Sequence, residues 1–214
     1  WLELGGIAPK YLAGHSLGEY SALVAAEAMS LADAVKLVHL RGKLMQSAVP
    51  QGTGAMAAIL GLADEKVIEL CQKVNASAAG QGSVEAANYN AQGQVVIAGS
   101  TALVQQVMAE AKEQSGKAIA LPVSVPSHCT LMKPAAEKFA EALEQTAIEL
   151  PSIPVIQNVN AEIATDVAQL RQALTAQLYQ SVQWTRTMQY LQDEGVQYVV
   201  ECGPGTVLSN LAKR

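Results

Sequence analysis

Gly14-His15-Ser16-Leu17-Gly18 has the form G-x-S-x-G, and its neighbours suit a reactive serine. Tyr11-Leu12-Ala13 can form a short strand before it, and Gly18 to Met29, proline-free and rich in Glu, Ala, Leu and Val, is predicted to be helical after it. On a sharp strand-to-helix turn the Ser16 hydroxyl is pushed outward, at the positive end of the helix. The flanking glycines leave room for a strained turn and close backbone approach. An ordinary glycine turn is the alternative reading.

A serine hydroxyl needs a base, and the chain has three histidines. His15 adjoins Ser16 on a tight turn and is expected to point away from the hydroxyl. His39 falls on the face of its helix that carries Lys36 and Lys43, so it is expected to be exposed. His128 follows Leu121-Pro122-Val123-Ser124-Val125-Pro126, in an irregular connection of the kind that holds catalytic groups at strand ends. It is the candidate base, against a purely structural histidine. Most carboxylates lie on polar helix faces, so no orienting acid stands out. A Ser-His dyad is expected, its ring held through Nδ1–H by a backbone carbonyl.

Arg41 is the second informative residue. Ala34, Val38, Arg41 and Met45 are spaced by four, three and four, so the arginine lies on an otherwise apolar helix stripe. A guanidinium aimed inward must find an anion, because an unpaired buried charge is costly. Two partners are open: a structural Asp or Glu, or a substrate carboxylate gripped by the planar fork.

The elements that must position these residues alternate strongly. Leu31 to Val49 reads as a helix capped by Ser30, and Pro50 to Gly54 breaks it. Then come a strand (55–60), a helix (64–76), two strands (84–90 and 94–98) around Ala91-Gln92-Gly93, a helix (101–114) and a strand (117–123). This β-α-β-β-α-β order is ferredoxin-like. A helix is predicted over 131–150, with Glu137, Glu141 and Glu144 on its solvated face, followed by a strand (155–159), a helix (166–178), the end of a further helix (189–193), a strand (197–201) and a last short helix after Gly203-Pro204-Gly205. The fold class is α/β. The expected division is a discontinuous core of residues 1–51 and 124–214 with a ferredoxin-like insert at 52–123.

The 214 residues suffice for one sizeable domain, or a domain with an insert. A net charge of −5 argues against nucleic acid as a partner. No apolar run reaches bilayer length, nothing resembles a signal peptide, and Cys71, Cys129 and Cys202 lack metal or redox spacing, so a cytoplasmic location is expected. The chain opens at Trp1, in what reads as the tail of a helix. A sheet presenting such a serine normally needs earlier strands, so an N-terminally incomplete chain is expected.

Five motifs then recur together in order: Gly14-His15-Ser16-Leu17-Gly18-Glu19-Tyr20; Arg41-Gly42; Gly52-Thr53-Gly54-Ala55-Met56; Val123-Ser124-Val125-Pro126-Ser127-His128; and Glu201-Cys202-Gly203-Pro204-Gly205. With them the chain closely resembles the malonyl-CoA:acyl carrier protein transacylases of bacterial fatty acid synthesis, kin to polyketide synthase acyltransferase domains. The resemblance implies a hydrolase-like parallel-sheet core interrupted by the ferredoxin-like subdomain. It implies that Ser16 becomes malonylated, that His128 is the general base, and that Arg41 holds the malonyl carboxylate. It implies further that the Gln177 carbonyl orients the histidine and that the Leu17 N–H serves an oxyanion. Malonyl-CoA and acyl carrier protein are the implied partners, without metal, redox cofactor, nucleic acid or membrane. One departure matters: the family's Gly-Gln-Gly-Ser-Gln segment, source of a second oxyanion donor, has no match here. The competing readings are a synthase acyltransferase using another extender such as methylmalonyl-CoA, a hydrolase or thioesterase, and a non-catalytic module that binds the carrier protein.

Overall fold

A computed structural model describes residues 8–123 and 125–213. The Trp1 region expected to end a helix, and Ser124 of the His128 connection, lie outside the described residues.

Two sheets organise the described residues. β1 (Leu12–Ala13) and β6 (Val155–Ile156) pair in parallel, Leu12 opposite Val155 and Ala13 opposite Ile156. β2 (Gly54–Leu60), β3 (Val84–Ala91), β4 (Gln94–Ser100) and β5 (Lys117–Ala120) form an antiparallel sheet in the order β3-β4-β2-β5. Apolar alternation explains the sheet's sidedness: Ala57, Ile59, Val95 and Ile97 face α3 (Asp64–Ser77) and α4 (Thr101–Glu113), burying Val67, Leu70, Val74, Val104 and Val107. Met56, Ala87, Val96 and Ala98 pack on the other face with Cys129, immediately after His128. The molecule is therefore α/β, with one parallel and one antiparallel sheet.

A larger core gathers α1 (Gly18–Ala25), α2 (Leu31–Ser47), α5 (Lys133–Gln145) and α6 (Val167–Ala176) around Leu23, Leu37, Phe139, Leu143, Leu170 and Leu174. α2 begins as expected, the Ser30 hydroxyl accepting from the Asp33 N–H at 3.1 Å. α7 (Trp184–Asp193) and α8 (Val207–Leu211) complete the order. The segment before α7 joins the sheet: Val182 donates to the Ala87 carbonyl and accepts from the Tyr89 N–H, both at 2.9 Å.

Several elements differ from expectation, each for a local reason. α1 stops at Ala25 because Glu27 takes φ +59°, and the Glu27 and Ala28 N–H groups bond back to Val24 and Leu23. That is a Schellman ending built without glycine. α5 stops at Gln145, where Thr146 turns extended and its hydroxyl bonds the Ala142 carbonyl. The strand expected to reach Val159 ends at Ile156, because the chain turns back through Ala161 at φ +58°. Residues 197–201 form no strand: no neighbour pairs with them among the described residues, and Tyr198, Val199 and Val200 lie exposed. Glu201 instead accepts from the Leu208 and Ser209 N–H groups at the start of α8.

Candidate active site

The turn between β1 and α1 holds Ser16 at φ +53°, a left-handed conformation that a non-glycine residue keeps only when its surroundings hold it there. The glycines around it are not equivalent. A Cβ on Gly14 would lie 2.0 Å from both the carbonyl carbon and oxygen of Gly18, whereas one on Gly18 meets nothing within 4 Å. Gly14 is thus required by close backbone approach, and Gly18 is not.

Hydrogen bonds hold this turn on every side. The Ser16 N–H donates to Asn158 Oδ1 at 2.6 Å, and Asn158 Nδ2 donates to the Gly14 carbonyl at 2.7 Å. The Ser16 carbonyl accepts from Gln177 Nε2 at 3.0 Å and from the Glu19 N–H at 3.1 Å. Asn158 can do this because the chain leaves β6 just before it.

Ser16, His128, Arg41 and Gln177, far apart in sequence, converge. Ser16 Oγ lies 2.8 Å from His128 Nε2, and Arg41 Nη2 donates to the same oxygen at 3.0 Å. His128 Nδ1 lies 2.7 Å from the Gln177 carbonyl, which can only accept, so the proton sits on Nδ1 and Nε2 carries the lone pair. His128 itself has φ +63°, and its N–H donates to the Leu178 carbonyl at 3.0 Å. Burial and the nearby Arg41 charge push the imidazole down to about 3, so it is neutral near pH 7. A neutral ring whose free nitrogen faces a hydroxyl can take that hydroxyl's proton.

Arg41 is 6% exposed on α2 and forms no ion pair with a carboxylate among the described residues. Its guanidinium stands 5.9 Å from the Tyr20 ring, and its Nε has no hydrogen-bond partner among the described residues. Of the two partners left open by the sequence, no ion pair in contact is made among the described residues, though the buried Glu19 carboxylate lies near enough to act on the Arg41 charge. Such a charge, beside the hydroxyl, favours an anion there.

The remaining expectations fall out plainly. His15 turns away from the hydroxyl, bonding Asn90 Oδ1 at 2.8 Å and packing on Trp184. His39 is exposed. Leu17 precedes the first turn of α1, and its N–H has no acceptor among the described residues. Sequence reasoning passed over Glu19 and Asn158. Glu19 sits in the serine motif, and nothing in its spacing distinguished a buried carboxylate from a first-turn helix charge. Asn158 lies in the polar run Gln157-Asn158-Val159-Asn160, whose only signal is its place at a strand end. Among the described residues, no three His, Cys, Asp or Glu side chains group closely enough to hold a metal ion. No helix among them is long and apolar enough to cross a membrane.

A family described as Acyl transferase domain matches residues 1–214. The malonyl CoA-acyl carrier protein transacylase of Salmonella typhimurium is 50% identical over 215 residues, an alignment covering the whole chain and 68% of that protein. The crystal structure of FabD from Acinetobacter baumannii superposes with a TM-score of 0.97 at 89% identity, covering all of this chain and 67% of that one. A malonyl-transacylase solved with a type II polyketide acyl carrier protein superposes with a TM-score of 0.96 at 47% identity, covering all of this chain and 68% of that one. The chain thus spans about two thirds of the length of the relatives it matches.

Proposed function

We propose a function from one premise: the chain belongs to the acyl transferase domain family. It moves a malonyl group from malonyl-CoA to the phosphopantetheine thiol of acyl carrier protein. The observation that carries this reading is the buried Arg41 guanidinium, without a carboxylate partner among the described residues, 3.0 Å from the Ser16 hydroxyl. A site built for uncharged acyl groups has no use for that charge.

The chemistry runs in two halves. His128 Nε2 takes the Ser16 proton as Oγ attacks the thioester carbonyl, and the Leu17 N–H donates to the oxyanion that forms. The C–S bond breaks, the departing CoA sulfur takes the proton from His128, and a malonyl-serine ester remains. Its free carboxylate pairs with Arg41. In the second half the carrier's thiol gives its proton to His128 and attacks the ester. The C–O bond breaks, and Ser16 Oγ recovers the proton. The Gln177 carbonyl holds the ring in the required tautomer throughout and stabilises the imidazolium when it forms. The chain's own residues supply every proton transfer, so this route calls for no cofactor beyond the pantetheine carried by its two substrates. The proposed location is the cytoplasm, in keeping with the resemblance to enzymes of bacterial fatty acid synthesis.

Transfer assays on paired substrates test this. Arg41→Ala should slow malonyl transfer on the order of 10²-fold, the factor for ~3 kcal/mol of lost buried charge contact. Transfer of an uncharged acyl group such as acetyl should be unchanged or faster. Equal losses on both substrates would remove the carboxylate role.

A further inference from the structure

Buried behind the serine is a carboxylate to which the proposed chemistry gives no part. Glu19, on α1, is 1% exposed. Its Oε2 accepts from Gln177 Nε2 at 2.7 Å and from the Asn158 N–H at 3.2 Å, while Oε1 has no hydrogen-bond partner among the described residues. We propose that Glu19 is a positioning residue whose single oxygen orients the Gln177 side-chain amide and holds the Asn158 backbone, the two residues that grip the Ser16 peptide, and so sets Ser16 against His128. This rests on Ser16 and His128 being the reacting pair.

Donor and acceptor chemistry carries the argument. A side-chain amide can present either its oxygen or its NH2, and only the NH2 can hold the Ser16 carbonyl. Glu19 Oε2 resolves that choice, since an accepting oxygen admits only the NH2 of Gln177. Both amide hydrogens are then committed, one to Glu19 and one to Ser16, and Gln177 Oε1 is left buried without a partner among the described residues. Flipping the amide could relieve that buried oxygen only by presenting it to two other oxygens. The backbone of the same residue accepts from His128 Nδ1. Gln177 therefore touches the nucleophile with its side chain and the base with its carbonyl, and Glu19 sets how that bridge sits.

Asn158 is held through its backbone instead. Glu19 holds its backbone N–H, and its side chain brackets Gly14 and Ser16 from the opposite side. Glu19 adds its own N–H to the Ser16 carbonyl. Glu19 thus reaches the Ser16 peptide directly and through both residues that grip it, where a non-glycine residue is kept left-handed. The arrangement does not depend on ionisation. Burial raises the carboxyl to about 7, and a proton, when present, sits on the unpartnered Oε1, leaving Oε2 an acceptor.

Three variants of the chain test this: Glu19→Met, Gln177→Met and the conservative Glu19→Gln. Each is followed by melting, by steady-state kinetics, and by the single-turnover rate at which Ser16 takes a malonyl group. Reaction of Ser16 with a fluorophosphonate, which needs the dyad but no malonyl site, is timed alongside. Glu19→Met and Gln177→Met each remove one side of the Glu19–Gln177 contact and should slow both reactions of Ser16 by roughly 10–100-fold, as expected for a displaced reacting group, without raising KM for malonyl-CoA. Glu19→Gln keeps an accepting oxygen toward Gln177 and Asn158 and should react like wild type. Wild-type rates in Glu19→Met or Gln177→Met would reduce Glu19 to a packing role and overturn the proposal. So would a Glu19→Gln as slow as Glu19→Met, since the accepting oxygen would then not be what counts. Gln177→Met retains the backbone carbonyl, so it decides the question if Glu19→Met does not fold. Wild-type protein that reacts with the fluorophosphonate but takes no malonyl group would contradict the proposed function instead, and the fluorophosphonate rates would still judge Glu19.

Discussion

At the scale of single residues, the site separates charge by environment. His128 and Arg41 share one buried space; burial first, and then the Arg41 charge, keeps the imidazole neutral while the guanidinium keeps its charge. This has a thermodynamic signature. The folded His128 value lies near 3, below the ordinary 6.5, so between those values the unfolded chain binds a proton that the folded chain refuses. The stability this group contributes is present above pH 6.5 and is lost as pH falls toward 3. Wild-type protein should therefore lose more unfolding free energy between pH 7 and pH 5 than His128→Gln does, measured by denaturant melts. Glu19 acts in the opposite sense, because its folded value is raised from 4.5 to about 7 and its contribution fades as pH rises through that window. It is present in both proteins, so the comparison isolates His128. Equal pH slopes would contradict the buried neutral imidazole.

Among the elements, the turn carrying Ser16 gives the sharpest contrast between sequence and structure. Gly14 and Gly18 look alike in the motif, yet only Gly14 is pressed against backbone. Gly14→Ala should fail to fold stably, since backbone atoms at 2.0 Å cannot yield as a side chain could. Gly18→Ala should stay within about 1 kcal/mol of wild type, the scale of helix propensity alone. Circular-dichroism melts of the two variants decide it, and similar losses in both would refute the distinction. Legibility follows the same line. Strand and helix periodicity marked most elements to within a few residues, because their buried faces are apolar. The end of α1 was invisible because Glu27, not glycine, adopts the left-handed turn. The dyad and the inward arginine could be read because rare residue types stood in telling places. Glu19 and Asn158 could not, since what matters in them is which backbone atom each amide or carboxylate reaches, and that is decided by tertiary approach.

Over the whole molecule, β3 ties the antiparallel sheet to the site. The Val182 ladder, the Ser181 hydroxyl on the Ala86 carbonyl and the Thr185 hydroxyl on the Tyr89 carbonyl fasten one end of it, while Asn90 bonds His15 beside the serine. Trp184 is buried at this joint against His15. Trp184→Ala should cost ~3–5 kcal/mol of stability by leaving a cavity, and a loss below about 1 kcal/mol in chemical denaturation would show that the joint carries little. The expected strand over 197–201 failed at this scale too. Its apolar residues promised a buried strand, but a strand is completed by neighbours, and among the described residues none pairs with it. The central claim is that Ser16 carries the malonyl group between donor and carrier. Incubation with malonyl-CoA, rapid quenching and peptide mass analysis test it most directly. The account predicts one malonyl group on the peptide containing Ser16, lost on addition of pantetheine-bearing carrier protein and absent in Ser16→Ala. A malonyl group on another residue, or an unmodified Ser16 peptide in protein that still transfers malonyl, would contradict it.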